Sequence, residues 1–255
     1  MNHIIKYVFL DILKNKTLIV YTLLLSMLSW SVLFLEDNES KGILTLLNVV
    51  LLTVPLVAIV FSSIYIYNSS EFIELLICQP IKRTKIHLSI FCGLSASLIL
   101  AFLIGCGLPV AILSPTPTGL MLVVAGTFIS AVFVSLAFFS SSFARDKARG
   151  LGIAILLWMY FAILFDGLIL FLMFQFSDYP IEKLMVGLTV LSPVDICRIM
   201  VLLKLDVSAM MGYTGAIFKN IFGTTNGQIA TLVLILFWVV IPYFIALRKF
   251  NKKDI

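Results

Sequence analysis

The residue types most often used in catalysis are scarce in this chain and do not stand at catalytic spacings. There is no GxxxxGK[ST] run to cradle nucleotide phosphates, no HExxH pair for zinc and no GxSxG turn to present a serine nucleophile. The two histidines, His3 and His87, have no acidic residue at ligand spacing, and the serines of the apolar segments have no histidine to act as a base. We therefore expect no catalytic residue and no cofactor on this chain, and any use of ATP would require a partner.

Sulfur-containing side chains offer candidate metal ligands, but they are scattered. Cys92 and Cys106 share one apolar segment, and the outer segment 175–228 holds further sulfur side chains of the types that suit Cu(I): Cys197, Met185, Met200, Met210 and Met211. The chain has no CxxC or MxxxM array, and methionine in so apolar a chain usually fills the core of a helix bundle. We therefore predict no metal site on this chain.

Charged residues within apolar segments are more informative. Asp166 stands about 15 residues into an apolar run, where a carboxylate is so costly in lipid that it must face a protein interior, a cavity or an interface. The segment LSPVDICRIMVLL at 191–203 opens with a strong helix start, namely Ser192 as N-cap, Pro193 at the first helical position and Asp195 at the third. We predict a short helix there, which also includes Arg198.

Residues 68–87, NSSEFIELLICQPIKRTKIH, combine a short amphipathic helix with a basic cluster. A serine at 69 or 70 can cap the helix, and Glu71 and Glu74 then fall in its first turn, where the helix dipole favours acids. Pro80 ends the helix. Three apolar side chains are predicted to share one face, at i, i+3 and i+4: Phe72, Leu75 and Leu76. The basic residues that lead into the next apolar run are Lys82, Arg83 and Lys85.

The main solvent of this chain is lipid. Hydrophobic residues make up 61% and charged residues 12% of its 255 positions, at a mean hydropathy of +1.13, which no water-soluble domain of this size could bury in one core. Backbone groups in lipid must pair within their own segment, so apolar runs of about 20 residues predict helices and not barrel strands. We predict a single all-α integral membrane domain over 1–255, with six transmembrane helices at 17–35, 43–67, 88–113, 120–143, 151–174 and 229–247.

Basic residues indicate how these helices are oriented. The N-terminus, 68–87 and 144–150 hold three Lys or Arg each and 248–255 holds four, which together are 13 of the 18 in the chain. Because cytoplasmic loops concentrate Lys and Arg, both termini are predicted to lie in the cytoplasm. The net charge of +5 then reflects topology and contact with anionic membrane lipid, so we assign no nucleic-acid partner.

Two further segments are predicted to lie along the membrane surface. Residues 4–13, IIKYVFLDIL, place apolar side chains at helical spacing and predict an interfacial helix, with a simple extension of the first span as the alternative. Residues 175–228, on the outer side, are too few for a domain and too broken to span the membrane. They predict two or three interfacial or re-entrant helices, including the one at 191–203.

The order of these elements resembles a type-2 ABC transporter permease over the whole chain. In that family the segment that matches EFIELLICQPIKRTKI is the coupling helix, which seats in a groove of a separate ATPase. The resemblance implies a cytoplasmic ABC ATPase that holds ATP and Mg²⁺, a second copy of this chain, and a place in the bacterial inner membrane. The residues that match are Glu71, Glu74, Leu75, Leu76, Pro80, Arg83 and Ile86, whereas Phe72 and Ile73 stand where the family has Gly and Thr.

Two other stretches narrow the resemblance: ARDKARGLGIAILLWMYFAILFDG at 144–167 and LSPVDICRIMVL at 191–202. Both are similar to the membrane subunit of the copper-processing ABC transporter that matures nitrous oxide reductase. The matching residues are Lys147, Gly150, Gly152, Trp158, Asp166, Pro193, Asp195 and Arg198, and the departures are Phe165, Ser192 and Val194. The resemblance implies a periplasmic β-helical copper-processing partner and a copper chaperone lipoprotein, with partner contact through Pro193, Asp195 and Arg198.

Two functions fit these residues, and a third is disfavoured by them. The first is a permease that couples ATP hydrolysis by a separate ATPase to copper delivery for nitrous oxide reductase maturation. The second is a type-2 ABC exporter of a lipid, drug or polymer, which predicts a cavity at the dimer interface and no periplasmic partner. The third, an intramembrane enzyme, would need a polar dyad inside the membrane, and Asp166 alone does not supply one.

Overall fold

The computed structural model describes residues 2–36, 38–144, 146–176, 187–205 and 225–252, and these form helices joined by short connections, with no strand among them. Two of the helices contain a π turn, at Leu103–Gly107 and at Tyr160–Leu164. In chain order the helices are α1 (Asn2–Leu13), α2 (Lys16–Leu35), α3 (Glu39–Asn68), α4 (Ser70–Ile77), α5 (Arg83–Leu113), α6 (Pro117–Phe143), α7 (Lys147–Gln175), α8 (Pro193–Leu202) and α9 (Thr225–Lys252).

Six of these helices, α2, α3, α5, α6, α7 and α9, are long and apolar enough to cross a membrane. Their most apolar windows have mean hydropathies of 2.2 to 2.7, and each predicted span lies inside one of them. The prediction of an all-α membrane protein with six spans is therefore confirmed. The helix predicted at 191–203 is also present, as α8. The other helices predicted within 175–228 fall largely outside the described residues.

Short polar side chains begin several helices by accepting hydrogen bonds from free backbone amides. Asn15 accepts from the amide of Thr17 at 2.9 Å and begins α2 there. This cap separates α1 from α2, so the alternative of one continuous N-terminal helix is wrong. Asn38 and Thr116 cap α3 and α6 in the same way, at 3.0 and 3.3 Å.

Helix α6 forms the centre of the bundle and packs against α3, α5, α7, α8 and α9. Of its most apolar window 61% is buried, compared with 22% for α2 and 11% for α7. Glycine allows the closest approaches, because Gly126 of α6 faces the ring of Phe102 and Gly93 of α5 faces Val8 of α1. Helix α1, with Val8 and Ile12 fully buried, is thus docked on α5 as well as amphipathic.

The two ends of the bundle bring different elements together. At one end, here called the α4 end, α1 meets α4 where Tyr7 packs on Phe72, with ring centroids 5.3 Å apart. At the same end, Lys249 of α9 lies over the ring of Phe143, next to the 144–146 connection. The four segments that are rich in Lys and Arg therefore lie at one end of the molecule. The opposite end, here called the α8 end, holds α8 and the far end of α7.

We expect the Gly126→Ala substitution to destabilise the bundle, because the added Cβ would overlap the ring of Phe102. Overpacking of this kind costs about 1–3 kcal/mol. Gly152→Ala is the matched control, since nothing lies within 4 Å of a Cβ there. Thermal unfolding in detergent should show a lower Tm for Gly126→Ala and an unchanged or raised Tm for Gly152→Ala. Equal Tm values for the two variants would contradict the close packing of α5 on α6.

Candidate functional site

The α8 end joins two charges that sequence analysis treated separately. Arg198 of α8 donates from Nη1 to Asp166 Oδ1 and from Nη2 to Asp166 Oδ2 of α7, both at 2.8 Å. This bidentate pair is the strongest hydrogen-bonded arrangement of an arginine and a carboxylate. Both side chains are partly exposed, at 29% for Arg198 and 26% for Asp166. The acid that lipid would disfavour is therefore neutralised by a helix outside the six spans.

A third charge completes this junction. Asp195, one turn before Arg198 on α8, accepts from Arg198 Nη1 at 3.3 Å and is only 4% exposed. Its position follows from the start of the helix, where the Ser192 hydroxyl accepts from the Asp195 amide at 3.3 Å and Pro193 occupies the first turn. The predicted helix start at 192–195 is thus present. We call Asp166, Asp195 and Arg198 the α8-end triad.

Burial, then the neighbouring Asp166 carboxylate, raises the pKa of Asp195 to about 7. Burial alone would lower the pKa of Arg198, but the two carboxylates outweigh it and raise that pKa, so Arg198 stays charged. Asp195 Oδ2 and Arg198 Nε are buried and have no hydrogen-bond partner among the described residues. Burial and the Asp166 carboxylate therefore favour the protonated form of Asp195 more than water would favour it for an exposed aspartate.

This burial limits how the segment could meet a partner. Pro193 and Asp195 are buried inside the chain, and Arg198 is committed to two carboxylates. Of the three residues predicted for partner contact, only Arg198 is partly exposed. Contact of this segment with a periplasmic protein stays a prediction. Such a contact would have to use Arg198 or the exposed residues next to α8, such as Leu191 and Lys204.

The sulfur ligands do not gather into a metal centre in the part of the chain that the structure describes. No group of three or more His, Cys, Asp or Glu at metal-binding distance occurs among these residues. Cys106 and Cys197 are buried, and burial together with Asp195 raises the pKa of the Cys197 thiol to about 12, which keeps it protonated. Met185, Met210 and Met211 lie outside the described residues.

Helix α4 presents two different faces at the opposite end. Leu76 is buried and Phe72 is half-buried against Tyr7, so these two residues hold α4 on the membrane domain. Glu71, Glu74 and Leu75 are exposed, with Leu75 at 67%. Leu75 therefore does not share the apolar face predicted for it. The helix ends at Ile77, with exposed Pro80 beyond it and Arg83 at the start of α5.

Tyr67, next to α4, is a residue that sequence analysis missed. Its ring lies against Gly150 in the first turn of α7, where a Cβ would overlap the phenol. Its hydroxyl donates to the carbonyl oxygens of Ser141 and Ala144 at 3.5 and 3.3 Å, and Lys147 donates to the adjacent Asn68 at 2.7 Å. No local pattern marks Tyr67, because its partners are 74 to 83 residues away along the chain. We call Tyr67, Asn68, Lys147 and Gly150 the α4-end junction.

The pKa of Asp195 predicts a pH dependence of stability. A carboxyl with a pKa near 3.9 unfolded and about 7 folded stabilises the protein fully below pH 4, and this stabilisation is lost as pH rises to 7. The loss is at most about 1.4 kcal/mol per pH unit for a single proton. Asp195→Asn, whose amide oxygen can still accept from Arg198, should remove this part of the decline in Tm between pH 5 and 7. Glu39→Gln, at an exposed acid, serves as the control, and identical pH profiles for Asp195→Asn and the unaltered protein would contradict the prediction.

Comparison with known proteins is consistent with this architecture. The family model described as ABC-2 family transporter protein matches residues 44–255. A protein named "Probable ABC transporter permease protein NosY" from Pseudomonas aeruginosa is 27% identical over 223 residues, covering 79% of this chain and 81% of that protein. A protein of the same name from Stutzerimonas stutzeri is 26% identical over 210 residues, covering 74% and 76%. The chain therefore belongs to the ABC-2 family of transporter proteins and is a multi-pass membrane subunit of an ABC transporter.

Proposed function

We propose that this chain is the permease that couples ATP hydrolysis by a separate cytoplasmic ATPase to copper delivery for nitrous oxide reductase maturation. The observation that supports the coupling role is the exposed face of α4, formed by Glu71, Glu74 and Leu75, on a helix whose other face is anchored at Leu76 and Phe72. An acidic face with an exposed leucine is suited to a groove on a partner protein.

The proposed topology follows from the charge of the two ends. The α4 end gathers most of the basic residues, so it faces the cytoplasm of a bacterial inner membrane, and both termini lie there. The α8 end then faces the periplasm. ABC-2 permeases imply an ATPase and a dimer, so the working assembly contains two copies of this chain and two of the ATPase.

The copper role rests on similarity to two proteins named as NosY permeases and on the residues shared with that group. In this assembly a periplasmic β-helical protein meets the α8 end, and a copper chaperone lipoprotein supplies copper to it. This chain itself provides motion and contact surfaces, while the chemistry belongs to its partners. ATP and Mg²⁺ are bound by the ATPase.

Docking of the ATPase can be tested by reversing a charge and removing the apolar side chain on the exposed face of α4. Glu74→Lys together with Leu75→Asp should lower the yield of co-purified ATPase about tenfold or more, because a charge and an apolar contact are both lost. The matched control is Leu35→Asp with Glu36→Lys, which makes the same changes at an exposed leucine and glutamate. These two residues lie where α2 ends, on the side of the membrane opposite to α4. ATPase retained at normal yield by the α4 double variant would contradict the docking role.

The identity of the substrate needs a separate experiment. Purification of the intact complex from native membranes should yield the ATPase and a periplasmic protein, and deletion of this chain should leave nitrous oxide reductase deficient in copper. Recovery of a complex without a periplasmic partner, whose ATPase rate is stimulated by a lipid, drug or polymer, would overturn the copper role and support the exporter alternative.

A further inference from the structure

Helix α7 is held in the molecule differently from the other spans. Only 11% of its most apolar window is buried, compared with 50% for α3 and α5 and 61% for α6. Apolar packing therefore constrains α7 weakly over much of its length, and lipid or a second copy covers the rest. Among the described residues, its polar contacts with neighbouring helices lie in its first turn, at Trp158, whose Nε1 donates to the carbonyl oxygen of Leu52 on α3 at 3.2 Å, and at Asp166. Two of these sites join α7 to the residues that lead into α4 and to α8.

The first of these contacts is at the α4-end junction. Tyr67 and Asn68 are the last two residues of α3, and α4 begins at Ser70. Tyr67 fills the space above Gly150, and Asn68 accepts from Lys147 at 2.7 Å. The hydroxyl bonds of Tyr67 are long, so the ring against Gly150 and the Lys147 bond are the main contacts. The residues that lead into α4, Tyr67 and Asn68, thus contact the first turn of α7. We call these two residues the base of α4.

The second contact is the α8-end triad. Asp166 stands on α7 directly after the π turn Tyr160–Leu164 and Phe165, and it forms two bonds of 2.8 Å with Arg198 of α8. A π turn holds one more residue than an α turn and so changes the face on which the following residues lie. Between Lys147 and Asp166 the helix is about 28 Å long at 1.5 Å per residue. One helix therefore links the base of α4, through its first turn, to α8, through Asp166, which stands nine residues before the last residue of α7.

We propose that α7 transmits displacement of α4 to α8, and that Tyr67 and Asp166 are the positioning residues that join α7 to these two helices. The proposal rests on the coupling role proposed for α4. A helix with hydrogen bonds along its axis moves largely as a rigid body, so a tilt imposed at Gly150 changes the position of Asp166. The competing route runs through α6, which also packs against α8.

The test uses the complete complex with its ATPase, reconstituted in lipid nanodiscs. Lys204, exposed and just beyond α8, is replaced by Cys and spin-labelled in a background where Cys78 and Cys92 are Ser, while Cys106 and Cys197 are buried. The distance between the labels of the two copies is measured without nucleotide and with a non-hydrolysable ATP analogue. ATPase yield and hydrolysis rate are recorded for each variant, because loss of the fold would lower both.

We expect Asp166→Asn to retain the ATPase and its hydrolysis but to reduce the nucleotide-dependent distance change at residue 204 by at least half. The charge exchange Asp166→Arg with Arg198→Asp should restore much of that change, which a nonspecific loss of stability would not allow. Glu39→Gln, at an exposed acid on the first turn of α3, should leave the change intact. An undiminished change in Asp166→Asn would overturn the proposal in favour of the route through α6.

The α4-end junction is tested in the same assay. Tyr67→Ala should reduce the distance change by at least half, whereas Tyr67→Phe should preserve it because the ring still lies against Gly150. Equal changes in both would overturn the role of Tyr67. Absence of any nucleotide-dependent change in the unaltered complex would overturn the proposal as a whole, because no displacement would reach α8. ATPase docking at α4 is judged by co-purification, so its failure is distinguishable from failure of transmission.

Discussion

Neutralisation of Asp166 is the constraint on which the α8 end depends. A carboxylate in an apolar helix is costly in lipid, and removal of its partner would leave an unpaired charge, which is far more destabilising than loss of a surface ion pair. Arg198 can reach Asp166 with both guanidinium nitrogens only if α8 lies beside α7 in the observed orientation. The same placement buries Asp195, which stands one turn before Arg198 on α8.

The distribution of burial divides the bundle into a central part and a peripheral part. Helix α6 is surrounded by other helices, and its glycine and serine residues permit close approach, as at Gly126 against Phe102. Helix α7 is mostly at the periphery and is attached by Gly150 in its first turn, by the hydrogen bond of Trp158 to a carbonyl oxygen of α3, and by the bonds of Asp166 to α8. A peripheral helix attached by polar contacts can change its tilt without repacking the core, which is a physical basis for movement within a stable membrane domain.

The α4 end exposes one face of a short helix. Helix α4 is anchored by its buried face and by Tyr7 of α1, and its other face is acidic with an exposed leucine. In the described residues, no three His, Cys, Asp or Glu side chains gather at metal-binding distance. Membership of the ABC-2 family makes the chain a membrane subunit of an ABC transporter.

Sequence alone determined the six spans, the fold class, the start of α8 and the position of α4, because hydropathy, N-caps and helix periodicity are properties of neighbouring residues. It also identified Asp166 as unusual and placed Arg198 on a predicted helix, but it did not pair them, since they are 32 residues apart in the chain. Only the tertiary structure decided that they pair, that Tyr67 lies against Gly150, and that Leu75 is exposed while Leu76 is buried. These features depend on how separate helices pack, and that packing is set by contacts between residues distant in sequence.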